Sequence, residues 1–343
     1  MTKITVLTGG SNAERDVAIA GAAQVVRALR KSHDDVRVVD TVDGPIAPSD
    51  EASYLSSRVD AQPPSLADVT SLASRELGPK LVELPEIAAG DLIFLVLHGN
   101  QGEGGDMQAL LEEHGIIYTG SGPEGSRLAM DKSAAKSRFE SAAIPTADWA
   151  MWPVLEDDVA HLGLPLIVKP SKVGSTLGLS VVDSVSQLKN AVDFALSYDD
   201  EVMIERFVPG REFTVGVLGD RALAVGEILP THDIFDYECK YTPGMSEEIF
   251  PAAIDEDLAR KLRKLALQAH DALELRDFSR VDFRLDEAGI PQCLEANTLP
   301  GLTSTSLLPQ SAAAQGISFA ELCETICALA LQRTGSRNKV GTK

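Results

Sequence analysis

The stretch "RVDFRLDEAGIPQCLEANTLPGLTSTSLLP", residues 280–309, opens as two alternating runs around the turn Asp286-Glu287-Ala288-Gly289. A four-residue loop there pairs Leu285 with Ile290 and sets Asp282 opposite Cys293. Period-two alternation then puts Asp282, Glu295 and Asn297 on one face, with Arg280 beside them. Three hard oxygen ligands suit Mg²⁺, which takes one or two carboxylates together with phosphate oxygens. A solvent face that merely carries charge is the alternative, and a register slip of one residue turns every side chain over. The continuation sets this hairpin apart, because Pro300-Gly301 and a run of hydroxyl residues follow at once.

The chain has 343 residues, 44% of them hydrophobic, enough to bury more than one core; two or three domains are expected. Its formal charge of -20, from 31 Lys+Arg and 51 Asp+Glu, argues against nucleic acid or an anionic membrane as partner. An anionic substrate needs a few local cations. Four cysteines are too sparse for a disulfide framework, and no membrane-length apolar run or leader-like segment is seen, so a reducing cytoplasm is the expected setting. Cys323 and Cys327, four apart in "FAELCETICALALQ", have no His or second Cys pair beside them and read as core.

Strands and helices alternate from the start. "KITVLTGG" is a strand running into glycines and "AERDVAIAGAAQVVRALRKS" has helical spacing; "DLIFLVLHG" is a buried strand and "MQALLEEHG" a helix ended by glycine. This predicts an α/β domain over residues 1–127 with a parallel sheet, its polar ends at the strand C-termini. Residues 41–90 read as an insertion with one or two short helices rather than core. Farther on, "LPLIVKPSKVGSTLGLSVV" is an apolar strand, then Lys169, then a loop from Gly174 to Gly178 whose N–H groups can wrap a phosphate. It is not a Walker A loop, and "LTGGSNAERD" is not a dinucleotide fingerprint. Two or three strands follow in residues 201–230, then the polar stretch "THDIFDYECKYTPGMSEE" and a long helix.

Taken in order, "GGSNAERDV", "HGNQGEGG", "MDK", "VKPSKVGSTLG", "IERFVPGREFTV", "YECKYTPG", "RVDF" and "EANTLPGLTSTSLLP" closely resemble the D-alanine–D-alanine ligase family of ATP-grasp enzymes. The resemblance runs from residue 4 to about residue 330. It implies a three-domain α/β fold of residues 1–127, 128–206 and 207–343, with ATP between two antiparallel sheets and a mobile loop over residues 232–248. By the same resemblance Lys132, Lys169 and Lys240 contact nucleotide phosphates, and Glu205, Phe207, Val208 and Glu212 hold adenine and ribose. Asp282, Glu295 and Asn297 are the implied ligands of two Mg²⁺ ions, with Mn²⁺ as a substitute. Glu14 and His98 are placed at the first D-alanine, and Ser306 and Leu307 at the second. Arg280 and the Gly301 N–H are the implied oxyanion donors, and Ser175 and Tyr241 link with Glu14 to close the loop.

The implied reaction phosphorylates one D-alanine carboxylate with ATP, after which the second D-alanine's amine attacks the acyl phosphate through a tetrahedral intermediate. The family is usually homodimeric and cytoplasmic. Two alternatives stay open: a relative that makes D-Ala-D-lactate, D-Ala-D-Ser or another dipeptide, and a non-catalytic ATP-grasp regulator. Against the second stands the retention of Lys169, Arg280, Asp282, Glu295 and Asn297 together. The "KY" at 240–241 speaks for an amine rather than a hydroxy acid as second substrate, because a neutral Tyr does not repel an incoming ammonium. The chain departs from the family pattern at Gly104 (usually Asp), Ala18 (commonly Ser) and Phe235 (commonly Tyr).

Overall fold

The computed structural model describes residues 2–55, 59, 64–154, 156–232, 234–242 and 244–340. Strand β1 (Ile4–Thr8) is buried at all five positions and lies parallel to β2 (Val36–Asp40) and β4 (Leu92–Leu95). Strands buried on both faces need cover on both, which crossover helices supply. The helix Arg15–Leu29 is one cover, and a helix from far along the chain packs beside it. Helix Phe319–Val340 lays Leu322, Cys323, Ile326, Cys327 and Ala330 into the same core, the i, i+4, i+8 spacing of one helix face. Both thiols are thus core groups, and burial pushes Cys323 up to about 12.

Residues 41–90 do more than decorate the domain, which corrects the reading of that segment as insertion rather than core. Strand β3 (Gly44–Ile46) extends the sheet antiparallel to β2, giving the order β3-β2-β1-β4. Leu81, Val82 and Ile87, on a 3₁₀ turn and a short helix, are buried in the same core. The segment's polar composition hid these few apolar anchors.

The second sheet is antiparallel and joins β5 (Trp149–Met151), β6 (Leu166–Pro170), β7 (Ser180–Val182) and β8 (Val202–Arg206) in the order β5-β8-β6-β7. Helix Val185–Ala195 opens with a Ser184–Gln187 capping box and packs Leu188, Ala191, Val192 and Ala195 on the sheet. The third sheet, also antiparallel, holds β9 (Glu212–Leu218), β10 (Arg221–Pro230), β11 (Ser246–Ile249), β12 (Phe278–Leu285) and β13 (Pro291–Asn297) in the order β11-β10-β9-β12-β13. Its cover is the amphipathic helix Glu256–Ala272, whose Leu262, Leu265, Ala266 and Ala269 face the sheet, with Asp255 as N-cap.

The β12–β13 register differs from the simple four-residue loop. Leu285 pairs with Pro291, not Ile290, and Asp282 lies opposite Glu295, not Cys293. Two causes combine. The Asp286 carboxylate accepts from the N–H groups of Ala288 and Ile290 and from the Gln292 amide, which widens the turn by a residue. A bulge then makes Leu294 the extra residue of β13, between the pairs Phe283–Cys293 and Asp282–Glu295. Arg280 ends up opposite Asn297, so the four polar residues still share a face.

Gly104, where the family usually has Asp, has a local cause as well. A Cβ there would lie 2.4 Å from the Asn100 carbonyl oxygen and 2.2 Å from Asn100 Oδ1. Replacing Gly104 with Asp is therefore expected to destabilise the protein by about 1–3 kcal/mol through overpacking, read from the urea midpoint. An Asp variant as stable as the parent would show that the turn has room.

Candidate active site

Two cavities meet between the sheets. The first is lined by Lys132, Lys169, Glu205, Phe207, Val208, Glu212, Asp282 and Glu295; the second by Glu14, His98, Glu103, Asn297, Gly301, Ser306 and Leu307. Ser175, Phe235, Lys240 and Arg280 line both. Every site residue named from the sequence therefore lies on one or other wall, except Tyr241, whose side chain lies outside the described residues.

In the first cavity β6 and β8 place Lys169 beside Glu205, with Nζ 2.5 Å from Oε2, and Lys136 grips the other carboxylate oxygen. Burial alone would raise this carboxyl, but the two ammonium groups hold Glu205 down to about 2. Lys136 was missed in the sequence; its signal was its place one helical turn after Lys132, on the same helix face. Lys132 is buried and its pKa is lowered by burial and by Lys169 and Lys240, against the pull of Glu295. Its Nζ donates to the Val173 carbonyl at 2.8 Å. In the same lining the Arg284 guanidinium stacks over the Phe207 ring, 5.0 Å from its centre. Burial raises Glu212 to about 7 in spite of that same arginine.

The Gly-rich loop forms the roof. Ser175 and Thr176 have φ of 54° and 62°, a left-handed backbone that costs non-glycine residues energy and persists where surrounding contacts hold it. Those contacts are present: Ser175 Oγ donates to Glu14 Oε1, and Thr176 Oγ1 donates to the Phe235 carbonyl at 3.1 Å. Lys240 Nζ lies 3.5 Å from Thr176 Oγ1 and 5.5 Å from the Phe235 ring centre. Phe235, where the family commonly has Tyr, thus acts through its ring and its carbonyl. Ala18 is fully buried on the helix Arg15–Leu29, where a hydroxyl would need a partner.

At the junction, Arg280 Nη2 and Nε donate to Asp282 at 2.7 and 3.0 Å. Thr214 donates to Asp282 Oδ1 and Asn297 Nδ2 to its Oδ2. Burial pushes the Asp282 carboxyl up, but Arg280 and Thr214 outweigh it and keep it ionised. Because the Asn297 amide spends its N–H on Asp282, its oxygen is the atom left to face a cation. Two carboxylates and an amide oxygen beside the lysines form the donor set of Mg²⁺, so these residues fit that ion.

In the second cavity His98 is buried, which lowers its pKa and keeps the ring neutral, and its Nε2 has no hydrogen-bond partner among the described residues. Gly301 passes so close to Ser306 that a Cβ would come within 2.8 Å of Ser306 Oγ. Glu103 is the second residue missed in the sequence, although it lies in the quoted "HGNQGEGG". Its carboxyl accepts from the N–H groups of Gly99 and Leu299 and from Thr298, tying the end of β4 to the end of β13.

Matches to known proteins follow this geometry. Antiparallel sheets clasping a lysine-lined cavity, joined to a parallel-sheet domain, define an ATP-grasp enzyme. A family model described as D-ala D-ala ligase N-terminus matches residues 3–121, and one described as D-ala D-ala ligase C-terminus matches residues 138–328. The chain belongs to the D-alanine–D-alanine ligase family. A D-alanine–D-alanine ligase of Desulfotalea psychrophila is 39% identical over 350 residues, covering 99% of this chain and 97% of that protein. One from Pelobacter propionicus is 40% identical over 328 residues, covering 94% of each. The crystal structure of D-alanine–D-alanine ligase from Bacillus anthracis superposes with a TM-score of 0.76 at 27% identity, over 98% of this chain and 100% of that one. The same enzyme complexed with ATP gives the same score and identity. No helix among the described residues is long and apolar enough to cross a membrane.

Burial and the neighbouring Glu14 raise Glu103 from 4.5 to about 7. Between those values the folded protein holds a proton that the unfolded chain has released. The associated stability is complete below about pH 4.5 and lost as pH rises through 7. Glu103→Gln removes this titration. The stability of the Gln variant relative to the parent is expected to rise by on the order of 2–3 kcal/mol from pH 4.5 to 8, measured by urea unfolding without nucleotide. A pH-independent difference would mean that folding does not raise the Glu103 carboxyl.

Proposed function

We propose that the chain joins two D-alanines into D-alanyl-D-alanine at the expense of ATP, through an acyl phosphate, for peptidoglycan precursor synthesis. The observation that carries this is the shared wall. Lys240 and Arg280 line both cavities, so a γ-phosphate in the first and a carboxylate in the second can meet there. In this reading Phe207, Val208, Glu205 and Glu212 hold adenine and ribose, while Lys132, Lys169 and Lys240 hold the phosphates. Asp282, Glu295 and Asn297 would hold Mg²⁺, which when bound neutralises charge on the transferring phosphoryl group.

Glu14 holds the ammonium of the first D-alanine, and its bond to Ser175 links that substrate to the roof. A neutral His98 stands at the first carboxylate without adding charge to it. Ser306 and Leu307 position the second D-alanine, whose amine attacks the acyl carbon. Arg280, oriented by Asp282, and the Gly301 N–H stabilise the oxyanion; glycine is required there because Ser306 leaves no room for a Cβ. The segment 232–248 closes over the reacting groups, opens to release product, and excludes water while shut. The parallel-sheet domain, with helix Phe319–Val340 in its core, acts as the substrate domain, and the two antiparallel sheets act as the two halves of the clasp. All four cysteines are free and buried, which supports a reducing cytoplasm; the working unit in this reading, as the family resemblance implies, is a homodimer.

Glu295→Gln is expected to lower turnover by about 100-fold or more, because charge neutralisation at the phosphates is lost. Its thermal melt should match the parent's; activity within a few-fold of the parent would remove Glu295 from the metal site.

Product analysis by mass spectrometry, with D-alanine, D-serine and D-lactate supplied together at pH 7.5, is expected to give D-alanyl-D-alanine as main product. A predominance of D-Ala-D-lactate would refute the specificity, and absence of any ATP-dependent product would refute the ligase reading.

A further inference from the structure

One cluster of metal-binding side chains lies outside the reaction just described. His232, Asp236 and Cys239, spaced four and three apart, each turn a donor atom inward, and the three atoms all lie within 4.8 Å of one another. His232 Nδ1 is 2.8 Å from Asp236 Oδ2. Cys239 is buried, its Sγ 3.9 Å from Thr231 Oγ1, which in turn lies 3.7 Å from the Met245 thioether. This is the only such cluster among the described residues.

The donor types select the ion. Mg²⁺ takes oxygen ligands and would not favour a thiolate and an imidazole. Zn²⁺ takes the mixed N, S, O set, at bond lengths that place tetrahedral donors roughly 3.3–3.8 Å apart. The His–Asp pair is already closer than that, and the cysteine needs a shift of at most about 1.5 Å. We propose that His232, Asp236 and Cys239 form a three-ligand site for a Zn²⁺-class ion, distinct from the oxygen-lined Mg²⁺ site, with a fourth position for water. Binding exchanges the Cys239 thiol proton for the metal and releases it to solvent.

The site spans the start of the short helix Tyr237–Tyr241. Asp236 caps that helix by accepting from the Cys239 N–H, and the helix carries Lys240 to Thr176 and the Tyr237 hydroxyl to the Ala13 carbonyl. An ion bridging residues 232 and 239 therefore fastens the helix to the chain entering from β10. On the reading above, in which this segment opens to release product, the bound ion holds the site shut and slows turnover.

Cobalt(II), added to the reduced, metal-free full-length protein, is the probe. The expected result is a saturable thiolate-to-cobalt absorption band at one equivalent, lost in Cys239→Ser and weakened in affinity by about 10- to 100-fold or more in the more exposed His232→Gln. Circular dichroism melting establishes that both variants are folded. In parallel, Zn²⁺ in the presence of excess Mg²⁺ is expected to slow ATP turnover of the parent more than that of either variant. No cobalt–thiolate band in the parent, or one that persists in Cys239→Ser, overturns the site. Equal inhibition of parent and variants overturns its effect on the loop. Since the cobalt spectrum needs no turnover, it distinguishes failure of this site from failure of the ligase reading.

Discussion

The pairing of β12 with β13, interrupted by one bulged residue at Leu294, is the constraint on which the site leans. In an unbroken strand Leu294 and Glu295 would point to opposite faces. With the bulge both line the first cavity, so apolar wall and carboxylate arise from adjacent residues. The same pairing sets Asp282 opposite Glu295 and Arg280 opposite Asn297, while Phe283 and Cys293 remain in the core beneath. Register is specified from below: moving it by a residue would put Phe283 in the cavity and Asp282 in the apolar core.

Above this hairpin, buried charges are arranged so that each has a partner. Glu205 faces two lysines; Asp282 faces Arg280, Thr214 and Asn297. An unpaired buried charge costs several kcal/mol, whereas a paired and hydrogen-bonded one approaches balance. A chain of net charge -20 thereby concentrates Lys132, Lys169, Lys240 and Arg280 around one cavity system, with Lys136 behind Glu205. The overall charge would repel a nucleotide at long range, and in the proposed reading this local cluster provides the attraction at contact.

The roof shows how structure far apart in sequence is made to act together. Ser175 and Thr176 adopt left-handed backbone while bonded to Glu14 of the first domain and to Phe235 of the 232–248 segment. Strained backbone is held by contacts from two other parts of the molecule, so losing either contact releases it. Glu103 performs a comparable service between the ends of β4 and β13, where its carboxyl accepts backbone N–H groups from both.

By itself the sequence determined the local elements and the chemistry of the site. Apolar runs ending in glycine or lysine, alternation over 280–285 and 291–297, and the polar types at Asp282, Glu295 and Asn297 depend only on near neighbours, so they are legible in one dimension. Cys323 and Cys327 were legible as core for the same reason. The tertiary structure decided what depends on distant partners. The bulge at Leu294 relies on a core formed with residues 129–144 and 213–217, and the role of Lys136 on Glu205 some seventy residues later. Leu81, Val82 and Ile87 needed the first core to reveal that their segment belongs to it, and Glu103 needed the Leu299 N–H. His232, Asp236 and Cys239 were ordinary polar-loop residues until the turn before Tyr237 brought their donor atoms together, because convergence in space is a property of the backbone path and not of residue type.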